Sequence, residues 1–159
     1  MGRPGTVAEA IRQKRPLRSK RQEALLALLL AAEELRARCN AHFAAGEGLT
    51  HQQYNVLRIL RGAGPAGLPT LDIGERMIER TPGVTRLIDR LITKKLVQRE
   101  RSAEDRRQVW CSLSARGRQL LERYDDEVNT LEDEAFGCLE TAELQQLIEL
   151  ANKVRNHQP

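Results

Sequence analysis

Aromatic residues are scarce in this sequence, and its cysteines are few and scattered. Aromatic side chains make up only 3% of the 159 residues, which argues against binding modes that stack bases or sugars on aromatic rings. The three cysteines, Cys39, Cys111 and Cys138, are odd in number and widely spaced, so neither a disulfide scaffold nor a C-x-x-C zinc site is present. The chain is long enough to fold around an ordinary hydrophobic core instead.

The sequence also lacks a long hydrophobic segment. The longest apolar run, Ala24 to Ala32, is too short to span a bilayer, and the start of the chain has no apolar signal core. We therefore expect a cytoplasmic protein with no membrane partner.

The residues of common catalytic and cofactor sites are missing as well. The three histidines are scattered, and there is neither a glycine-rich phosphate loop nor a nucleophile–base pair. Cys39 and His42 stand three residues apart, but no third metal ligand is near them in the sequence. We predict that the protein is not an enzyme and has no catalytic residue, metal or cofactor.

What the sequence does have is charge, and the charge is distributed unevenly. Residues 1–21 carry seven basic side chains and one acidic side chain, a net charge of +6, and residues 76–107 carry a net +5. Residues 122–159 carry three basic and ten acidic side chains, a net −7. A basic stretch that coincides with a nucleic-acid-binding motif indicates a polyanionic partner.

Apolar residues at spacings of three and four predict a series of helices. The first begins at a capping box at Ser19 and runs to about Ala45. A serine or threonine is expected to cap each of the five that follow: Thr50, Thr70, Thr81, Ser114 and Thr141.

The pattern changes between the fourth and fifth of these helices. Leu96–Arg101 and Gln108–Leu113 are typical of two short strands joined by a polar loop. Three helices followed by a hairpin, with short connections, indicate a winged helix-turn-helix. We predict a mainly α fold with a small β-hairpin, divided into a basic N-terminal extension (1–18), a winged helix-turn-helix DNA-binding domain (49–113) and N- and C-terminal dimerisation helices (19–48 and 114–159).

The helix after Thr81 is the predicted recognition helix, which would enter the major groove of double-stranded DNA. On its basic side, Arg86 can form a bidentate hydrogen bond to guanine, and Thr85 can touch a thymine methyl group or a phosphate. Arg90 and Lys94 come later in the helix and are expected to contact phosphates.

Arg106 and Arg107 lie in the loop of the predicted hairpin, the wing. An arginine there can enter the narrow minor groove of A·T-rich DNA, where the negative potential is enhanced. Asp105 would repel DNA if it were left free, so we expect it to hold one of the two arginines in position.

Four segments resemble the MarR family of bacterial transcription regulators: Leu49–Leu60, Thr81–Leu91, Glu104–Val109 and Leu113–Gly117. The most specific motif is Asp-Arg-Arg, followed by a strand and by Leu-Ser-x-x-Gly. The resemblance runs from about Ser19 to Arg155. It implies a homodimer whose end helices interlock and whose two winged domains bind a pseudo-palindromic operator, with Thr81 and Gly83 among the DNA-binding positions.

The resemblance also implies a response to a small molecule. Members of this family commonly release DNA when an aromatic or phenolic anion binds between the dimer helices and the winged domain. The side chains that could line such a pocket here are Arg38, His42, His51 and Tyr54. The function expected from the resemblance is therefore that of a ligand-responsive repressor.

The sequence departs from the family pattern at three places. Gly83 stands where relatives often have a hydroxyl or a larger polar residue. Lys95 replaces the glycine that is common after the recognition helix, and a left-handed lysine would cost on the order of 1 kcal/mol. The basic segment before Ser19 is longer than in the shortest members, and it could embrace the partner subunit or touch DNA.

A second hypothesis comes from a different class of protein. In it, the chain is a helical adaptor whose acidic C-terminal third binds a basic protein partner. This hypothesis predicts no sequence-selective DNA complex and leaves the Asp-Arg-Arg loop without a role.

Overall fold

The computed structural model describes residues 5–79, 83–101 and 109–157 of the chain. These residues belong to two compact units, Met1–His51 and Gln52–Pro159. The elements are, in order, α1 (Val7–Ala10), α2 (Lys20–Ala45), α3 (His51–Ala63), β1 (Leu68–Pro69), α4 (Thr70–Arg76), α5 (Val84–Thr93), β2 (Val97–Arg101), β3 (Val109–Leu113), α6 (Ala115–Phe136) and α7 (Thr141–Asn156). This arrangement confirms the predicted mainly α fold with a small β-sheet.

The first unit consists mainly of α2, and the predicted cap of this helix is confirmed. The Ser19 hydroxyl accepts a hydrogen bond from the Gln22 N–H at 3.2 Å. The Gln22 side chain accepts from the N–H of Arg18 at 2.8 Å, one residue before the donor that a capping box uses. The helix end and the chain just before it are therefore held by reciprocal side-chain contacts.

In the single chain, large apolar side chains on α2 and on α7 are exposed to solvent. Leu25 and Leu29 of α2 each keep 58% of their surface exposed. The remaining large apolar residues that are exposed on these two helices are Leu28, Leu30, Leu147, Ile148, Leu150 and Val154. No helix within the described ranges is both long and apolar enough to cross a membrane.

The second unit has a core between its helices and its sheet. Each central helix directs an apolar side into this core, and Leu57, Ile73 and Ile88 are completely buried there. Leu121 of α6 is also completely buried. The residues that the sequence indicates for the outer face of α5 are consequently left at the surface.

The sheet is antiparallel, with the strand order β1–β3–β2. Val97 lies opposite Leu113 and Arg101 lies opposite Val109, which confirms the predicted hairpin to within one residue at each start. The short strand β1 is not predicted by the sequence. It pairs Leu68 with Cys111, and two residues are too few to show an alternating pattern.

Two of the predicted helix caps are wrong by one residue. Helix α4 has Pro69 at its N-cap, without a side-chain hydrogen bond, while the Thr70 hydroxyl lies 3.4 Å from the carbonyl oxygen of Val109. Helix α7 is capped by Glu140 in a capping box with Glu143. Ser114 does cap α6, since its hydroxyl accepts from the Gly117 N–H at 2.9 Å.

Glycine is sterically required at a different place from the one that the sequence suggests. Gly74, in α4, is expected from the sequence to allow close helix approach, yet a Cβ there would lie 3.5 Å from Val84 Cγ2, an ordinary contact distance. At Gly117 a Cβ would lie 2.2 Å from the carbonyl oxygen of Leu96. The close backbone approach is therefore between α6 and the start of the wing.

We predict opposite effects for alanine at these two glycines. Gly117→Ala forces backbone atoms apart and is expected to lower the free energy of unfolding by about 1–3 kcal/mol. Gly74→Ala adds a Cβ at an ordinary contact distance within a helix and is expected to raise the free energy of unfolding by about 0.5–1 kcal/mol. Urea unfolding of both variants measures the difference, and equal stabilities would contradict the steric argument.

Candidate nucleic-acid interface

Helix α5, the predicted recognition helix, begins at Val84 and is preceded by a glycine. Gly83 is the N-cap, with φ +123°, and its carbonyl oxygen accepts from the N–H groups of Arg86 and Leu87 at 2.9 and 3.2 Å. The prediction that Thr81 caps this helix is wrong, since the cap lies two residues later; Thr81 itself lies outside the described residues. A positive φ of this size strains other residues, so the conformation explains the glycine.

The two faces of α5 differ completely in burial. Leu87, Ile88 and Leu91 are buried, whereas the opposite face is exposed and carries Thr85, Arg86, Asp89 and Arg90. Neither Arg86 nor Arg90 has an acidic partner among the described residues. The half-buried Lys94 is the C-cap. Within the part of the chain that the structure describes, the helix thus presents guanidinium groups without acidic partners along one face.

The acidic residue on this face is paired with the wing. Asp89 Oδ1 lies 2.7 Å from Arg99 Nη2 of β2, and their side chains are 52% and 34% exposed. The carboxylate is therefore neutralised at the surface where a polyanion would approach. Sequence reasoning missed Arg99, because no local pattern reveals a pair formed between a helix and a strand.

The turn between α5 and β2 ends the helix in a defined way. Lys95, at the position where relatives often have glycine, has φ +59° and is therefore left-handed. The Lys95 N–H donates to Ile92 O at 2.8 Å, and the Leu96 N–H donates to Leu91 O at 2.9 Å, which is a Schellman motif. Leu91 and Leu96 are both fully buried, so apolar contact at this turn offsets the strain of the left-handed lysine.

A further set of hydrogen bonds fastens this turn to α6. The Ser114 hydroxyl donates to the carbonyl oxygen of Lys95 at 2.7 Å, and the Ser114 N–H donates to Leu96 O at 3.1 Å. Gly117 lies directly against the same Leu96 carbonyl. The Leu-Ser-x-x-Gly motif is thus the place where the recognition helix, the wing and α6 are joined.

The wing itself is described only in its strands. The pairing of β2 with β3 ends at Arg101 and Val109. Asp105, Arg106 and Arg107 lie outside the described residues, so their roles remain predictions.

Three of the four residues predicted to line an effector pocket belong to the first unit. Phe43 is buried there, with the His42 ring edge-on at 5.4 Å and the His51 ring stacked at 6.3 Å. The His51 N–H donates to Asn40 Oδ1 at 2.9 Å. Arg38 Nε lies 3.2 Å from Glu34 Oε1.

Tyr54, the fourth of these residues, belongs to the second unit. Its ring packs edge-to-face on Tyr124 at 6.2 Å. Burial raises the pKa of Tyr54 above its ordinary value of 10, and the nearby Arg61 opposes this effect. Arg61 Nη1 in turn lies 2.8 and 2.9 Å from the two carboxylate oxygens of Asp125. A neutral phenol and an ion pair therefore link α3 to α6.

Comparison with known proteins identifies the family of this chain. A model of the MarR family matches residues 49–109. The uncharacterized HTH-type transcriptional regulator YpoP of Bacillus subtilis is 30% identical over 110 residues, which cover 67% of this chain and 74% of that protein. A MarR transcription factor from Planctomyces limnophilus is 38% identical, with a TM-score of 0.67 over 86% of this chain and 98% of its own. This chain belongs to the MarR family.

MarR membership confirms the winged helix-turn-helix and makes the chain a DNA-binding transcriptional regulator. In this fold, α4 and α5 form the helix-turn-helix, and β2 and β3 form the wing. Bordetella bronchiseptica BpsR, whose DNA binding is regulated by 6-hydroxynicotinic acid, is also similar. It is 26% identical, with a TM-score of 0.76 over 91% of this chain and 100% of that chain.

We predict that the Asp89–Arg99 pair affects DNA binding much more than stability. Arg99→Gln leaves the Asp89 carboxylate unneutralised on the basic face, so affinity for duplex DNA is expected to fall by roughly threefold or more. Asp89→Asn removes that negative charge, and affinity is expected to stay the same or rise. Fluorescence anisotropy with a labelled duplex measures both changes.

Thermal unfolding is the control for this pair. An exposed ion pair stabilises a fold by at most about 1 kcal/mol, so both variants are expected to remain folded. If the two variants weakened DNA binding equally, the idea that Arg99 acts by neutralising Asp89 would be wrong.

Proposed function

We propose that this protein is a ligand-responsive repressor that binds a pseudo-palindromic operator as a homodimer. The observation that carries the proposal is the exposed basic face of α5, with Arg86 and Arg90 free of acidic partners among the described residues. This face is held in place by the turn at Lys95 and by the cap of α6.

The proposed contacts follow from the position of each side chain on α5. Arg86 lies in the first turn of the helix, where recognition helices reach base edges, and its bidentate guanidinium fits the O6 and N7 atoms of guanine. Thr85 is placed to contact a thymine methyl group or a phosphate. Arg90 and Lys94, toward the other end of α5, are assigned to phosphates, which position the helix without specifying sequence.

The wing is proposed to supply a second kind of contact. Arg106 and Arg107 would enter the minor groove next to the recognition helix, where A·T-rich sequences attract arginine. Asp105 would hold one of them in position. These assignments rest on the family motif and on the paired strands that lead to the loop.

The proposed dimer is supported by the apolar surfaces of α2 and α7. Leu25, Leu29 and Leu150 each expose more than half of their surface in the single chain. Large apolar side chains that are exposed in this number on a helix are characteristic of an interface. A two-fold axis between subunits would place the two α5 helices at half-sites about one helical turn of DNA apart, roughly 34 Å.

The proposed effector is a small aromatic or phenolic anion. In the first unit, the imidazole rings of His42 and His51 pack around Phe43, and Arg38 lies one turn before His42 on α2. Tyr54 offers a neutral phenol. The regulation of BpsR by 6-hydroxynicotinic acid is a precedent for an aromatic acid, and loss of DNA binding on occupancy would make the regulator ligand-responsive.

Arg86 provides the sharpest test of the recognition role. Selection of bound fragments from a random DNA pool gives the base preferences of the wild type and of the variants. Arg86→Ala is expected to relax the preference at one position in each half-site and to cost about 1–3 kcal/mol of binding free energy. Arg90→Ala, the matched control on the same face, is expected to weaken binding uniformly.

An identical preference profile for Arg86→Ala and the wild type would remove Arg86 from base recognition. If the wild type selected no DNA sequence at all, the whole proposal would be wrong.

Sedimentation velocity tests the proposed dimer. At micromolar concentration, the wild type is expected to sediment with twice the mass of the chain. Leu25→Glu combined with Leu29→Glu places two charges on the apolar surface of α2 and is expected to shift the protein towards the monomer. Leu71→Glu is the control, since this side chain is 81% exposed on α4; a monomeric wild type would contradict the proposal.

A further inference from the structure

A second basic surface lies in the first unit, on the segment 12–21 between the end of α1 and the start of α2. Its cations are exposed and have no acidic partner among the described residues: Arg12, Lys14, Arg15, Arg18 and Arg21. Lys20 is the exception, with its Nζ 2.7 Å from Glu23 Oε2. We call residues 12–21 the basic segment.

The backbone of the basic segment is held at both ends. At its start, Arg12 has φ +53°, and the Gln13 N–H donates to Ala8 O at 2.8 Å. At its end, the Arg18 N–H donates to the Gln22 side chain, and Ser19 caps α2. The segment that carries the cations is thus anchored at both ends, which lowers the entropic cost of binding a partner.

Four acidic residues of the same unit, Glu9, Glu23, Glu33 and Glu34, have partners other than the five exposed cations. Glu9 accepts hydrogen bonds from the backbone ahead of α1, and Glu23 pairs with Lys20. Glu33 and Glu34 pair with arginines on α2. The positive charge of the basic segment is therefore left for a partner outside the unit.

The composition around the segment narrows the class of partner. No aromatic residue precedes Phe43 in the sequence, so bases cannot be stacked there as in single-strand binding. Arginine and lysine side chains without aromatic neighbours fit the regularly spaced phosphates of a duplex, which bind by charge and carry no sequence information.

We propose that the basic segment binds the phosphate backbone of the DNA duplex that α5 reads. This inference rests on the proposed function. It gives the chain two surfaces with separate tasks: α5 and the wing select the sequence, and the basic segment adds affinity that is independent of sequence. In this proposal, the long segment before α2 binds DNA and does not wrap around a partner subunit.

The test uses two charge-matched double variants of the full chain. Lys14→Gln with Arg15→Gln removes one lysine and one arginine from the basic segment. Lys153→Gln with Arg155→Gln removes the same two residue types from exposed positions on α7. Affinity for the duplex selected by the wild type is measured by anisotropy between 50 and 200 mM salt.

The basic-segment variant is expected to lose affinity and to show a shallower dependence of log K on log salt. The slope falls by about 0.9 for each phosphate contact that is lost, so up to four lost contacts in a dimer would reduce it by about 3.6. The base preferences should not change, in contrast to Arg86→Ala. The α7 variant should retain the wild-type slope.

Three results would overturn the inference. One is an unchanged salt slope in the basic-segment variant, and another is a change in its base preferences. The third is a lower sedimenting mass for this variant, which would assign the segment to the partner subunit. If the wild type bound no duplex, the proposed function itself would be wrong. That result differs from the three results above, so failure of the proposed function can be distinguished from failure of this inference.

Discussion

The close backbone approach between the end of α5 and the start of α6 is the constraint on which the DNA-binding unit depends. Gly117 lies against the Leu96 carbonyl, where no Cβ would fit, and Ser114 donates to the carbonyl oxygens of both Lys95 and Leu96. This one junction sets where α5 ends, where the wing begins and how α6 leaves the sheet. The Leu-Ser-x-x-Gly motif is therefore required for packing. Its serine caps the helix, and its glycine allows the close approach because it has no side chain.

Once that junction is formed, burial of the apolar residues determines which charged residues of the unit are exposed. The apolar residues of α5 are buried on one side, so Arg86 and Arg90 are exposed on the other. Asp89 would oppose a polyanion on this face, and its pairing with Arg99 removes that conflict. The same ion pair also links α5 to β2 of the wing. On α6, the acidic residue Asp125 is paired with Arg61 of α3.

The periodicity of apolar residues was enough to predict most of the fold. The long helices and the hairpin have the predicted positions because burial of one face imposes a repeat of three to four residues or of two. The predicted caps at Thr70, Thr81 and Thr141 are wrong. A side chain caps a helix only if the backbone at that position has the non-helical conformation of an N-cap. At α5 that turn is made by Gly83, whose positive φ supplies the conformation that a threonine cannot adopt easily.

The sequence by itself determined which residues could meet DNA, because helical spacing separates Arg86 and Arg90 from the buried leucines. The left-handed conformation of Lys95 became known only from the structure. Only the tertiary structure decided that Gly117 and not Gly74 is sterically required, that Leu68 adds a strand, and that Arg99 neutralises Asp89. Each of these depends on atoms that are distant along the chain, and their distances are set by packing and not by any local pattern.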